Sequence, residues 1–259
     1  MKKTIAILGP PVIWAHLSRG YRQLAEFICV SPVRTVFLDD AGFSLFLVDA
    51  FAGKYSTVVV FDPTTADAAA EMVKRRQMQI RYKAASKNVE VIAVGEDTAA
   101  LISGYGIKVS SVAPEPTTEP LVNFINSKPR RGTMALHRSD QESSELIDRL
   151  RESGWQVDDV HLYSLELDES DDMAALLDRL EDGNIDILVF PTPSNARAFM
   201  VQLEERCGKD DACSLLLGLQ IVAMCPQTRQ MLEGYGIKVS MVPTQATPGH
   251  LLEELMRDL

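Results

Sequence analysis

The hydrophobic positions along the chain form short continuous runs that alternate with amphipathic segments. Apolar runs such as residues 4–8, 58–61 and 185–190 are followed by Gly, Asp or Pro, which is typical of buried strands. Between such runs lie segments with apolar residues three and four positions apart, as in residues 140–152, and this spacing predicts helices. Strands that alternate with helices require parallel sheets with helices on both faces. The pattern therefore predicts an α/β fold.

The predicted strands and extended segments are residues 4–8, 33–38, 58–61, 89–94, 107–112, 133–137, 157–167, 185–190, 220–224 and 237–242. The predicted helices are residues 14–27, 65–82, 98–104, 118–126, 140–152, 169–182, 194–206, 228–234 and 248–258. Ser194 is the predicted N-cap of its helix, because serine is a preferred capping residue. Gly104 is the predicted C′ residue that ends its helix.

A repeat divides the chain into two halves. Residues 104–110 and 234–240 carry the same seven residues, Gly-Tyr-Gly-Ile-Lys-Val-Ser, at an offset of 130 positions. Upstream of them the apolar run at 91–94 lies over the run at 221–224. A period of this length is that of a domain and not of a solenoid unit. The sequence therefore predicts two copies of one α/β unit.

Composition and charge narrow the classes of partner. The net charge of −10 argues against a nucleic acid partner, since phosphate binding needs a basic field. One cluster of cations is a local exception and fits a solvated helix face: Lys74, Arg75, Arg76, Arg81, Lys83 and Lys87. Four cysteines in no metal-ligand pattern, and the lack of a run of about 20 apolar residues, predict a reduced, cytoplasmic soluble protein without a membrane partner. We expect it to be a monomer.

Polar residues collect where predicted strands end and helices begin. In parallel sheets ligands bind at the carboxyl ends of strands, where helix N-termini converge. The residues there are Thr64, Thr65, Thr98, Ser139, Thr192, Ser194, Asn195 and Thr228. Helix capping accounts for any one of them, whereas the set together suits a ligand that carries carboxylates.

Several well-known catalytic patterns are absent from the sequence. There is no glycine-rich nucleotide-binding motif and no nucleophile elbow, and the four histidines, His16, His137, His161 and His250, are scattered. These absences leave two kinds of function open: catalysis without a cofactor or metal, and binding without catalysis.

Five motifs in series resemble the uroporphyrinogen-III synthase family. They are Gly95-x-x-Thr98-Ala99, Leu136-x-Arg138-Ser139-Asp140, Val160-x-x-Tyr163, Val189-Phe190-x-Thr192-Pro193-Ser194-Asn195, and Gly236-Ile237-x-Val239 with the later Ala246-Thr247-Pro248. The resemblance covers most of residues 88–259 in order and spacing.

The resemblance implies two similar domains with parallel sheets flanked by helices and a ligand cleft between them. One domain would be residues 1–36 with 168–259, and the other residues 37–167. A two-stranded hinge would join them, and the extended segments near 33–38 and 157–167 fit it. The domain boundary would then differ from the boundary of the repeat.

The resemblance also implies a reaction and roles for residues. A cyclising lyase of haem and sirohaem biosynthesis would convert hydroxymethylbilane to uroporphyrinogen III, with loss of water, inversion of ring D and no metal or organic cofactor. Tyr163 would donate a proton to the leaving hydroxyl. The residues expected to bind the substrate are Arg138, Ser139, Thr192, Ser194, Asn195 and Thr228, to which we add the strand-end Thr64, Thr65 and Thr98.

Three turns depart from the family pattern. Leu8-Gly9-Pro10 stands where the family usually has Thr-Arg-Pro, Asp62-Pro63 opens the turn that is Thr-Ser-x-Asn in the family, and Cys225-Pro226 replaces Gly-Pro. An alternative therefore stays open: a non-catalytic two-domain protein that binds a tetrapyrrole or another polycarboxylate.

A receiver-like signalling domain is a third hypothesis. Asp39, Asp40 and Asp62 near predicted strand ends suggest it, but the duplication and the lack of a lysine at a later strand end argue against it.

Overall fold

The computed structural model describes residues 2–38, 41–114, 117–129 and 132–257. Its strands are β1 (Lys3–Leu8), β2 (Ala25–Val30), β3 (Val33–Phe37), β4 (Tyr55–Val60), β5 (Glu90–Val94), β6 (Ser111–Ala113), β7 (Thr133–Ser139), β8 (Gln156–Leu167), β9 (Ile187–Phe190) and β10 (Gln220–Ala223). Its helices are α1 (Pro11–Leu17), α2 (Ala41–Phe51), α3 (Pro63–Arg75), α4 (Gln79–Ser86), α5 (Glu96–Gly104), α6 (Thr118–Asn126), α7 (Glu145–Glu152), α8 (Asp171–Glu181), α9 (Pro193–Cys207), α10 (Lys209–Leu216), α11 (Pro226–Gly234) and α12 (Pro248–Arg257).

The strands form two sheets. A four-stranded sheet has the order β10-β9-β1-β2, and a six-stranded sheet has the order β3-β8-β7-β4-β5-β6. The pairs of β1 with β2 and β9, and of β4 with β5 and β7, are all parallel. The predicted α/β class with parallel sheets is therefore confirmed.

The chain forms two compact units. One comprises Met1–Arg34 with Glu166–Leu259, and the other Thr35–Leu165. The chain passes from one unit to the other twice, once within β3 and once within β8, which are neighbours in the six-stranded sheet.

Buried side chains cover both faces of each sheet, which explains the continuous apolar runs. In β1, Ala6 and Leu8 pack into one core while Ile5 and Ile7 pack into a second on the opposite face. Successive side chains of a strand alternate between faces, so a strand covered on both sides must be apolar at every position.

The two copies of the repeated heptapeptide have equivalent structures. The Ser110 amide donates to the Val91 carbonyl at 2.8 Å, and the Ser240 amide donates to the Ile221 carbonyl at 2.8 Å. Each copy begins with the glycine that ends a helix, and Gly106 and Gly236 then adopt positive φ angles of 76° and 79°. Gly104 is the last helical residue and not the predicted C′ position.

Several predicted elements are wrong in extent or type. The predicted helix 14–27 ends at Leu17, a short 3-10 helix (Ser18–Tyr21) follows, and residues 25–30 form β2 instead. The predicted helix 65–82 is interrupted because Gln77 adopts a φ of 57°, so α3 and α4 are separate helices. Helices α2 and α10 lay outside the predicted elements.

The strands predicted at 107–112 and 237–242 are much shorter. The first is reduced to β6, and the second to a single bridge between Val222 and Met241. No helix among the described residues is long and apolar enough to cross a membrane.

Candidate active site

In the Thr35–Leu165 unit the strand ends bring together a tyrosine, an aspartate and a serine. Asp62 lies just beyond β4, Ser139 is the last residue of β7, and Tyr163 is its partner in β8. The carboxyl ends of parallel strands meet at one edge of the sheet, which is why residues distant in sequence converge here. We call Asp62, Thr65, Ser139 and Tyr163 the carboxyl-edge cluster.

Asp62 links the cluster to helix α3. It is the N-cap of that helix, and its Oδ1 accepts the Thr65 amide at 2.7 Å. Its Oδ2 accepts the Thr65 hydroxyl at 2.9 Å and the Tyr163 hydroxyl at 3.0 Å. Asp followed by Pro is a favourable start for a helix, because Asp caps well and Pro fits the first helical position. The turn that departs from the family pattern thus places a carboxylate against the candidate proton donor.

The phenol of Tyr163 is held in its protonated form. The residue is buried, and burial together with the nearby Asp62 charge raises the pKa of its hydroxyl well above the usual range. Glu142, at the surface, has a raised pKa as well, through desolvation and then the charge of Asp62. Tyr163 is therefore a proton donor and not a phenolate at any ordinary pH.

The sequence interpretation does not include the role of Asp62. From the sequence, Asp62 is only a departure from the family turn and a receiver-like feature. Its position directly before a proline, after a buried strand, is the signal for a capping carboxylate at the ligand edge.

The Arg138 guanidinium is hydrogen-bonded to residues of its own unit. Its Nε and Nη2 donate to the two carboxylate oxygens of Asp159, each at 2.8 Å, and Nη1 donates to the Ser143 carbonyl at 2.7 Å. Burial opposes ionisation of Asp159, but the hydrogen bonds from Arg138 more than offset it and lower the pKa of that carboxyl. A bidentate pair of this kind positions the end of β7; contact of Arg138 with substrate stays a prediction.

The other unit carries a second polar group at the ends of β9 and β10. Thr192 caps α9: its hydroxyl accepts the Asn195 amide at 3.1 Å and donates to the Asn195 side-chain oxygen. The prediction that Ser194 is the cap is wrong, because Pro193 occupies the first helical position and Ser194 lies exposed beyond it. The Asn195 side chain is 4% exposed, and its nitrogen has no hydrogen-bond partner among the described residues.

Thr228 lies in the first turn of α11 and is not its N-cap. Cys225 is the N-cap of α11, and its Sγ is 3.2 Å from the Thr228 hydroxyl. Thr228 is fully buried. Similarly, Thr98 is buried in the first turn of α5, and Thr64 is half-buried in that of α3.

The packing around Gly9 explains why the turn after β1 differs from the family pattern. A side-chain carbon at this position would lie 2.7 Å from the Trp14 indole nitrogen and 2.8 Å from a Pro191 carbon. The buried Trp14 therefore fills the space that a longer side chain at position 9 would need.

Comparisons with known proteins agree with one another. A family model described as uroporphyrinogen-III synthase HemD matches residues 21–253. A putative uroporphyrinogen-III synthase of Archaeoglobus fulgidus is 23% identical over 196 residues, which are 75% of this chain and 78% of that protein.

Two solved structures have the same fold. The uroporphyrinogen III synthase of Thermus thermophilus aligns over 98% of both chains with a TM-score of 0.69 and 18% identity. The uroporphyrinogen-III synthetase of Helicobacter pylori aligns over 100% of both chains with a TM-score of 0.63 and 15% identity. Because the family model matches residues 21–253, most of this chain, the chain belongs to the uroporphyrinogen-III synthase family.

Proposed function

We propose that this chain converts hydroxymethylbilane to uroporphyrinogen III, and that the carboxyl-edge cluster carries the first chemical step. Membership of the family supports the reaction and disfavours a binding protein without activity. The observation that carries the assignment of residues is the hydrogen bond from Tyr163 to Asp62, at the edge where α/β proteins bind ligands.

The first step is loss of the substrate hydroxyl. The carbon–oxygen bond breaks as Tyr163 donates its proton, and the hydroxyl leaves as water. The substrate loses a pyrrole N–H proton in forming the azafulvene, so Tyr163 recovers a proton and the overall change is loss of one water. A hydrogen bond from the phenol to the departing hydroxyl contributes about 10- to 100-fold to the rate.

Asp62 fixes the position of the Tyr163 hydroxyl and keeps it protonated, while its charge makes the phenol a weaker acid. In the structure the phenol proton points to Asp62, which also accepts two hydrogen bonds from Thr65. When the proton turns towards the leaving hydroxyl, the two bonds from Thr65 remain and keep the carboxylate satisfied. The Asp62 charge then favours the positive charge that develops on the substrate as hydroxide departs.

The substrate carboxylates need hydrogen-bond donors. This chain has a negative net charge, but it can supply such donors at its helix N-termini. Helix N-termini present backbone amides and a favourable dipole to anions. The buried Asn195 nitrogen, which lacks a partner among the described residues, adds a donor at the start of α9. We propose that Asn195 and Thr192 bind the substrate in one unit, while Ser139 does so in the other. Binding by Ser194, Thr228, Thr64, Thr65 and Thr98 stays a prediction, as do the cytoplasmic location and the monomeric state.

The isomer of the product tests the function. Hydroxymethylbilane closes spontaneously to the type I isomer, so protein is added in increasing amounts and the isomers are separated. A rising fraction of the type III isomer is expected. If only the type I isomer forms when protein and substrate are at equal concentrations, the chain is a non-catalytic binding protein.

A further inference from the structure

A cavity of 630 Å³ lies inside the Thr35–Leu165 unit. It is bordered by the face of the six-stranded sheet and by helices α2 to α5, and it opens to solvent on one side. Apolar side chains dominate its walls: Phe46, Val58, Val60, Val73, Val91 and Ile102. The cavity lies in the range of about 300–1,000 Å³ that is usual for small-molecule sites. Its lining residues do not include those of the carboxyl-edge cluster.

His137 is the polar residue at the sheet face of this cavity. The side chain is fully buried, and neither ring nitrogen has a hydrogen-bond partner among the described residues. Its ring packs edge-on against Phe46, with centroids 4.4 Å apart. Buried polar groups in folded proteins are nearly always paired, so an imidazole with two unpaired nitrogens beside a cavity points to a missing partner.

The surroundings define the chemistry of that partner. Burial lowers the pKa of His137 to about 3, so the ring is neutral and offers one donor and one acceptor but no charge. Acidic groups at the rim are already engaged: Glu71 pairs with Arg75 at 3.1 Å, and Asp67 accepts a hydrogen bond from Tyr105. Two lysines, Lys74 and Lys83, also line the pocket, but its sheet face is apolar around the neutral His137, which favours a ligand that is uncharged where it meets the sheet.

We propose that this cavity binds a compact apolar molecule with a single hydroxyl group, which hydrogen-bonds to His137. A bicyclic phenol is the simplest representative. This site is separate from the synthase reaction, and it makes the Thr35–Leu165 unit a receptor for a second class of small molecule.

The probe is 2-naphthol, with naphthalene as the matched molecule that lacks the hydroxyl and 2-naphthoate as the charged one. Calorimetric titration and saturation-transfer NMR of the full chain measure binding. We expect 2-naphthol to bind at least about tenfold more tightly than either control, the size of one buried hydrogen bond.

Variants locate the site. His137→Phe keeps an aromatic ring against Phe46 and should abolish the preference for 2-naphthol over naphthalene. Ala70→Phe and Ala50→Phe fill the cavity from two helices and should remove binding of both molecules. Thermal melting identifies the cavity-filling variant that keeps the fold, and formation of uroporphyrinogen III should be unchanged in it.

Three results would overturn the proposal. One is a failure of 2-naphthol to bind the unmodified chain at millimolar concentration. The second is a preference for 2-naphthol that survives in His137→Phe. The third is unchanged binding in a folded cavity-filling variant, which would place the molecule elsewhere.

Discussion

The Tyr163 hydroxyl donates to the Asp62 carboxylate at 3.0 Å, across 101 positions of sequence. The same sheet contains a second pair of this kind, in which the Tyr55 hydroxyl donates to Asp158 at 2.9 Å. Tyr55 begins β4 and Asp158 is near the start of β8, so this pair lies at the amino ends of the strands. The two pairs share their chemistry and differ in the edge of the sheet that they occupy. Only the carboxyl edge is the expected ligand edge of a parallel sheet.

The capping residue of α9 gives a test of local structure. Thr192→Ala removes the side chain that accepts the Asn195 amide, and we expect the free energy of unfolding to fall by about 0.5–2 kcal/mol. Ser194→Ala, two positions along, should change it by less than about 0.5 kcal/mol, because Ser194 is exposed. Urea denaturation measures both. Equal losses in the two variants would restore Ser194 as a capping residue.

Arg138 and Arg34 give a comparison of buried and exposed ion pairs. Arg138→Ala leaves Asp159 without its bidentate partner, and we expect a loss of about 3 kcal/mol in the free energy of unfolding. Arg34→Ala breaks the exposed pair with Glu166 and should cost less than about 1 kcal/mol. If Arg138→Ala retains its stability but binds substrate more weakly, Arg138 is a ligand contact and not a structural residue.

His137 should make stability depend on pH. Its pKa is about 3 in the folded chain against about 6.5 when unfolded, so the unfolded state binds one more proton between these values. This contribution to stability is present above pH 6.5 and is lost as the pH falls towards 3. From pH 7 to pH 5 the unmodified chain should lose about 2 kcal/mol more than His137→Phe does. Parallel pH dependences of the two proteins, measured by denaturant unfolding, would show that the pKa of His137 is not lowered in the folded chain.

The fold class and most elements could be predicted because their signals are local. The apolar run of β1 and the amphipathic spacing of α8 are visible in the sequence, and the repeat showed that the halves correspond. Strand β2 could not be found, because Tyr21, Leu24 and Phe27 continue a helical spacing. Residues 25–30 become a strand only through parallel pairing along the whole of β1. Helix α2 is apolar on nearly every side, so its sequence lacks a polar face that would mark it.

The positions of the polar residues at strand ends could be predicted from the sequence. Their hydrogen-bond partners could not. The sequence located Ser139 and Thr192 at the carboxyl ends of their strands, whereas Tyr163 was indicated only by the family resemblance. It gave no sign that Arg138 would be held by Asp159, because that pairing depends on how β7 and β8 align. It also favours a cap at Ser194, because serine is a strong capping residue, but Pro193 takes the first helical position and moves the cap to Thr192.

The rate of uroporphyrinogen III formation in two tyrosine variants tests the central claim most directly. Tyr163→Phe and Tyr55→Phe each remove one hydroxyl from a tyrosine–aspartate pair of the same sheet, and both tyrosines are buried. At saturating hydroxymethylbilane we expect Tyr163→Phe to be slower by about 10- to 100-fold, the value of one charge-assisted hydrogen bond of about 1.5–3 kcal/mol. Tyr55→Phe should stay within about twofold of the unmodified chain. Full turnover in Tyr163→Phe, or equal losses in both variants, would contradict a catalytic role for the carboxyl edge.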